Sequence, residues 1–203
     1  MAGTPDNFNN QTIIIGPGKM YADLAIPGAG GRLILYSDGT PDATQNPDAK
    51  HIGYTREGTT VTANVTLQKF FGDESEYPLV TRKQQEIVSI SGELLQPADM
   101  DLLEILMASG TRTAISGIDG MHFGSALSAL NYTSVAVIAP LEEDATRFWV
   151  AHLYRAVNES GIDLRVTRTN LGGIPFSFTG DQISTRAVGD RLGIIFKQNV
   201  VGS

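Results

Sequence analysis

From Thr59 the chain alternates strictly. Val61, Ala63, Val65 and Leu67 are apolar, while Thr60, Thr62, Asn64, Thr66 and Gln68 are polar. That period of two turns one face of a strand to a core and the other toward water or a partner. Val88, Ile90, Gly92 and Leu94 alternate with Ser89, Ser91 and Glu93 in the same way. So do Ile162, Leu164 and Val166 against Asp163, Arg165 and Thr167, and Ile174, Phe176 and Phe178 follow after Asn170-Leu-Gly-Gly173. The last two runs read as a hairpin closed by a glycine-containing turn. Further strands are expected at 13–15, 20–25, 32–36, 51–54, 133–138, 147–157 and 191–197. The 147–157 run is rich in aromatic and β-branched residues on both parities. It therefore predicts a strand covered on both faces.

One helix stands out against this background. Pro97 opens it, Asp99 and Asp101 sit near its positive N-terminal end, and Gly110 lies past its close. Leu102, Leu103, Leu106 and Met107 form its apolar stripe, with Asp101 and Glu104 off it. One amphipathic helix beside many strands predicts a mainly β fold, a β-sandwich or barrel with a single flanking α-helix. A chain of 203 residues suits one such domain, 1–203. Two stretches stand apart: a polar N-terminal arm, 1–12, and a loop, 37–50, with two prolines and no apolar residue larger than alanine. Segments of that kind are expected to become ordered against something else.

Composition narrows the chemistry. The net charge of −7 argues against a protein that grips duplex DNA through cations at phosphates. The absence of cysteine removes disulfides, thiolate nucleophiles and Cys-containing zinc sites. His51, His122 and His152 are far apart in sequence and in no metal-binding pattern, so packing or surface roles are expected. Gly16-Pro-Gly18 and Gly28-Ala-Gly-Gly31 lack the Lys-Ser/Thr and the helical pattern that a phosphate loop requires. Phe123-Gly-Ser-Ala-Leu127 lacks the second glycine of a nucleophile elbow. Asp38, Asp42 and Asp48 match no calcium loop and are expected to accept local backbone bonds in turns. No signal peptide and no membrane span is expected from the polar start and the short apolar runs. Neither a catalytic residue, a metal nor a cofactor is expected.

The order of segments carries a resemblance. His51-Ile-Gly-Tyr-Thr-Arg-Glu-Gly58 follows a long loop and opens the alternating strand 59–68. An acidic linker, Phe71-Gly-Asp-Glu-Ser-Glu-Tyr-Pro-Leu79, comes next, followed by a strand at 86–95 and the helix around Asp101–Gly110. From about His51 to Gly110 this series resembles the major tail tube protein of long-tailed bacteriophages. That family shows an H-[LI]-G-Y-T-x-x-G segment, a strand, a linker ending near a proline–hydrophobic pair, a second strand and a leucine-rich helix ending in glycine.

The resemblance implies a structural virion protein without enzymatic activity. Six copies form a ring, and rings stack into the tube that conducts the genome into the host. It implies a place in the virion tail after assembly in the bacterial cytoplasm, with tape measure, tail terminator and distal tail proteins as partners. Double-stranded DNA would pass without sticking, and no membrane is involved. Asp73, Glu74, Glu76 and Glu93 are expected to face the lumen. Asp38, Thr40, Pro41, Asp42, Gln45, Asn46, Pro47 and Asp48 are expected to form the inter-ring loop. The alternatives are the inner tube of a contractile injection system and a carbohydrate- or receptor-binding β-sandwich of a virion. The second of these would want exposed aromatics at loop tips, whereas the one tryptophan, Trp149, lies within an apolar run.

Overall fold

A computed structural model describes residues 10–15, 18–71, 77–95, 100–122, 130–141, 144–162 and 173–199. Ten strands and one helix lie among them. In chain order they are β1 (Asn10–Ile15), β2 (Lys19–Ala22), β3 (Lys50–Phe71), β4 (Pro78–Leu94), α1 (Met100–Leu106), β5 (Thr111–Ile115), β6 (Ile118–His122), β7 (Thr133–Leu141), β8 (Asp144–Asn158), β9 (Ile174–Gly180) and β10 (Gly193–Asn199).

The fold is mainly β, with a large antiparallel sheet and a flanking helix, as the alternation predicts. Six strands pair in a closed circuit, β3–β2–β7–β8–β9–β4, with β4 returning to β3. Closure of this kind removes sheet edges. Strand β1 adds to β3 beyond β2, and β10 adds to β8 beside β9. The small β5–β6 hairpin stands separately.

Met20, Val61, Ile90, Leu94, Val137, Leu153, Phe176 and Phe178 belong to the main buried cluster, and Leu102, Ile105 and Leu106 of α1 join it. A second cluster gathers Tyr21, Ala136, Ile138, Phe148 and Val150 with Leu24, Leu33 and Leu35 from the 23–49 segment. Strands β7 and β8 therefore carry core on both faces. This accounts for the apolar residues of both parities in β8 and for the unbroken burial of Ser134–Ala139.

Several boundaries differ from the sequence expectation. The segments at 51–54 and 59–68 are one 22-residue strand, bent where the ladder shifts register between Thr55 and Thr59. Gly58, at φ 103°, supplies the conformation this bulge needs. Strand β3 runs to Phe71 and β4 begins at Pro78, so the first residue and the last two of the expected acidic linker are already sheet. The expected strand at 32–36 is a connection with one isolated bridge, Leu35 to Pro41, because Leu33 and Leu35 lie over β7 and β8 without pairing to them. The 20–25 strand stops at Ala22, where Asp23 turns the chain with φ 56°. Helix α1 is shorter than its signals imply, and Pro97 and Asp99 lie outside the described residues. Met107 is buried just past its end, Leu103 is half-buried, and Ile105 joins the apolar face although it lies off the expected stripe. Most of the expected strand at 162–166 falls outside the described residues, whereas β9 lies between β4 and β8. No sequence signal pointed to β5 and β6.

Candidate assembly interface

The two halves of the β3–β4 ladder differ sharply. At the barrel end β3 is flanked by β2 and then by β1 as far as Asn64, and β4 is flanked by β9 from Ser89 to Leu94. Beyond those points β3 and β4 pair only with each other among the described residues, out to Phe71 opposite Pro78. At about 3.3 Å per residue the β3 side of this ribbon extends roughly 20 Å past its last lateral neighbour. Among the described residues both outer edges offer backbone N–H and C=O groups with no sheet partner. An isolated two-stranded ribbon is marginal in water, yet this one carries exposed Leu67, Phe70, Phe71, Leu79, Val80 and Ile87. Phe71 is 58% exposed and Leu79 69%. Some order comes from within: the Arg82 guanidinium lies 5.8 Å from the Phe70 ring centre, and Lys83 pairs with Glu86.

Register assigns the faces. Val61 and Ile90 point into the core, so their neighbours Thr60 and Ser91, then Thr62 and Ser89, turn outward together. On β9, Ser177 and Thr179 lie beside Ser91 and Ser89 on the same outer face. Past the barrel that face continues through Asn64 and Ile87, Thr66 and Gln85, and Gln68 and Arg82. Between Glu93 and Arg82 these positions carry hydroxyls, amides and one isoleucine, and no charge. Two like-sized hydroxyl rows on adjacent strands also pair tolerably across the ladder.

The expected lumen acids fare unevenly. Asp73, Glu74 and Glu76 lie outside the described residues. Glu93 is on the outer face, but its carboxylate lies 3.4 Å from Arg56, so it does not present an unopposed negative charge there.

The loop at 37–50 is ordered against its own chain, contrary to the expectation that it needs something else. The Asp38 carboxylate accepts from the Thr40 N–H at 2.9 Å and the Thr40 hydroxyl at 2.6 Å. Those bonds hold the Asp38 carboxyl below the usual carboxylate range. Asp42 does the same for the next turn, accepting from the Thr44 N–H and the Tyr36 hydroxyl, each at 2.8 Å, and its pKa is likewise lowered. Gly39, at φ 76°, is buried against Phe148, where a side chain would clash with the ring. Asn46 is buried and accepts from the Ala25 N–H at 3.1 Å. Of the expected inter-ring residues, Pro41 and Asn46 are buried within their own chain. Asp38, Gln45, Pro47 and Asp48 are exposed, Thr40 and Asp42 half-exposed, and Lys50 already belongs to β3. The N-terminal arm gives way to β1 at Asn10, and residues 1–9 are outside the description.

One arrangement in the core has the look of chemistry. The Ser134 hydroxyl lies 2.7 Å from His152 Nε2, the distance at which a serine meets its base. Among the described residues His152 Nδ1 has no hydrogen-bond partner, so no acid orients the ring through it. His152 is 1% exposed and packs edge-on to Tyr154, and burial, with Arg186 nearby, lowers its pKa to about 4. A neutral imidazole enclosed on both sides serves here as a core hydrogen-bond partner. His51, by contrast, is exposed and packs between Tyr21, tilted, and Tyr54, edge-on, and His122 is exposed at the end of β6. No three His, Asp or Glu side chains gather as a metal site among the described residues, and no helix there is long and apolar enough to cross a membrane.

Apolar and charged surface meet in one more place. A cavity of about 570 Å³ opens at the barrel end of the β3–β4 ladder, lined by Tyr54, Leu95, Ile138, Pro140 and Phe148 with Lys19, Arg56 and Asp38. A larger, more polar groove of about 860 Å³ lies between Asp23, Lys50 and Tyr132, where Arg155 stacks 3.9 Å from the Tyr132 ring centre. No protein-family model matches the chain, nor does any curated protein sequence.

Proposed function

We propose that the protein is a self-assembling tube subunit, the tail tube protein of a long-tailed bacteriophage, acting by forming a conduit and catalysing nothing. The carrying observation is the β3–β4 ribbon that leaves the barrel with apolar side chains exposed and, among the described residues, both edges unpaired. In a monomer such a ribbon is an aggregation liability. Set beside the same ribbon of neighbouring copies, its edges pair, its apolar residues are covered, and the ring of ribbons closes into a barrel of its own. Six copies per ring and stacked rings follow from the resemblance of the 51–110 segment. In the virion tail, tape measure, terminator and distal tail proteins would be the partners that bound the tube.

The outer face of the ribbon suits the wall of the lumen. Thr60, Thr62, Thr66, Ser89, Ser91, Gln68 and Gln85 offer a duplex no cations that would displace counterions from its phosphates, and Arg82, at the far end of the face, is the exception among the positions traced. Passage without capture then rests on a neutral hydroxyl and amide surface, supported by the overall charge of −7. Of the acids expected to line the lumen, Asp73, Glu74 and Glu76 lie outside the described residues and Glu93 is paired with Arg56.

Electron microscopy and sedimentation of two proteins test the reading. The native chain is expected to form stacked hollow rings. A variant with residues 67–84 replaced by Asn-Gly is expected to stay folded and monomeric. A native chain that remains monomeric, or a shortened chain that still builds tubes, overturns the proposal.

A further inference from the structure

We propose that Arg82 is the point at which the wall of the tube touches the phosphates of the duplex it conducts. The inference rests on the tube reading and adds to it one cationic contact per copy. Register places Arg82 on the outer face, opposite Gln68 and beside the Phe70–Val80 pair. Its guanidinium lies 5.8 Å from the Phe70 ring centre. That contact holds the group in place without an acid to neutralise it. The other cations of the ribbon are turned away. Lys69 stands opposite Thr81 and Lys83 opposite Leu67, both on the other face, where Lys83 is paired with Glu86. At the barrel end of the outer face, roughly 35 Å back along β4, Glu93 is already paired with Arg56. Arg82 pairs with no acid among the described residues, so it is the one unopposed charge on the positions traced.

A wall rich in cations would hold DNA fast by releasing many counterions. A single cation per copy acts differently. A duplex presents a phosphate about every 1.7 Å of its axis, counting both strands. A guanidinium that lets go of one phosphate therefore meets the next almost at once. The attraction is favourable at every position of the duplex and changes little as the duplex advances. Between Arg82 and Glu93 the hydroxyl and amide side chains add no competing charge. Contact and sliding are thus compatible, and the partner is defined by its chemistry, a stiff polyanion with closely spaced phosphates.

The test uses assembled tubes and a short fluorescein-labelled duplex, with binding read by fluorescence anisotropy and assembly by electron microscopy. Native tubes are expected to retain the duplex weakly at low salt and to release it as salt rises. Arg82→Gln tubes are expected to bind at least about fivefold less tightly, with a shallower dependence on salt. Arg82→Lys, which keeps the charge, is expected to keep most of the affinity. Lys69→Gln, on the other face of the same ribbon, is the control and is expected to match the native tubes. Arg82→Gln tubes that bind like the native ones, or Lys69→Gln tubes that weaken as much, overturn the contact while the tube reading stands. Native tubes that retain no duplex at low salt do the same. If Arg82→Gln abolishes assembly, the residue serves the contact between copies and the proposal is again overturned. A native chain that builds no tubes takes the tube reading and the contact down together.

Discussion

The barrel half and the free half of the β3–β4 hairpin are built from the same alternating pattern, yet they behave as different materials. Near Val61 and Ile90 every inward side chain meets the main core and every edge has a neighbour. Near Phe71 and Leu79 the pairing persists while burial and lateral partners are lost. Hydrogen bonding between two strands is thus insufficient to explain why the ribbon is there. In water its exposed apolar area is a cost. In the proposed tube, neighbouring copies would cover it.

The sharpest way to separate the halves is to remove an aromatic ring from each. Phe178→Ala, in the main core, is expected to cost about 3–5 kcal/mol of stability, read as a large drop in Tm. Phe71→Ser is expected to change the monomer's stability by less than about 0.5 kcal/mol while impairing assembly. A large stability loss at Phe71 would show that the ribbon end belongs to the monomer's own core.

The barrel half should also answer to pH. His152 has its pKa lowered to about 4 by burial and by Arg186, against an ordinary value of 6.5. Between those values the unfolded chain binds a proton that the folded chain refuses. The stability is therefore complete above about pH 6.5 and lost as pH falls toward 4, by on the order of 3 kcal/mol. Denaturation by urea across that window should show the decline, and His152→Gln should flatten it. An unchanged slope in the variant would assign the acid sensitivity to other groups.

A smaller effect probes the joint between α1 and the barrel. Asn158 is buried, donates to the Leu106 carbonyl at 2.7 Å and accepts from the Ser177 N–H at 2.8 Å. Asn158→Ala leaves both backbone groups without that partner, and a loss of about 1–3 kcal/mol is expected in chemical denaturation. The ribbon half should be indifferent, so assembly of the surviving folded fraction is the internal control. Deletion of the 40–47 loop segment is a poor probe of assembly, because Pro41 and Asn46 are part of the fold.

The alternation at 59–68 and 88–94 was readable because a strand's faces repeat every two residues wherever one is buried. The same pattern concealed where β3 and β4 leave the barrel, since Val65, Leu67 and Phe71 read no differently from Val61. The two-sided strand at 147–157 was legible from its mixed parity, and β5 and β6 were not, because short segments with Gly117 and Gly120 carry little period. The 37–50 loop looked like an open arm from its prolines and aspartates. Those same residues proved to be its turn chemistry, because short polar side chains bond the backbone two residues on.

By itself the sequence determined the class of fold, the strands with one buried face, the amphipathic helix and the absence of thiol chemistry. Each is a local property of side-chain spacing and composition. Only the tertiary structure decided which strand ends are covered, that Glu93 meets Arg56, that His152 meets Ser134, and that a ribbon projects at one end of a ladder with a cavity at the other. Those depend on contacts between residues distant in the chain, which no local period records.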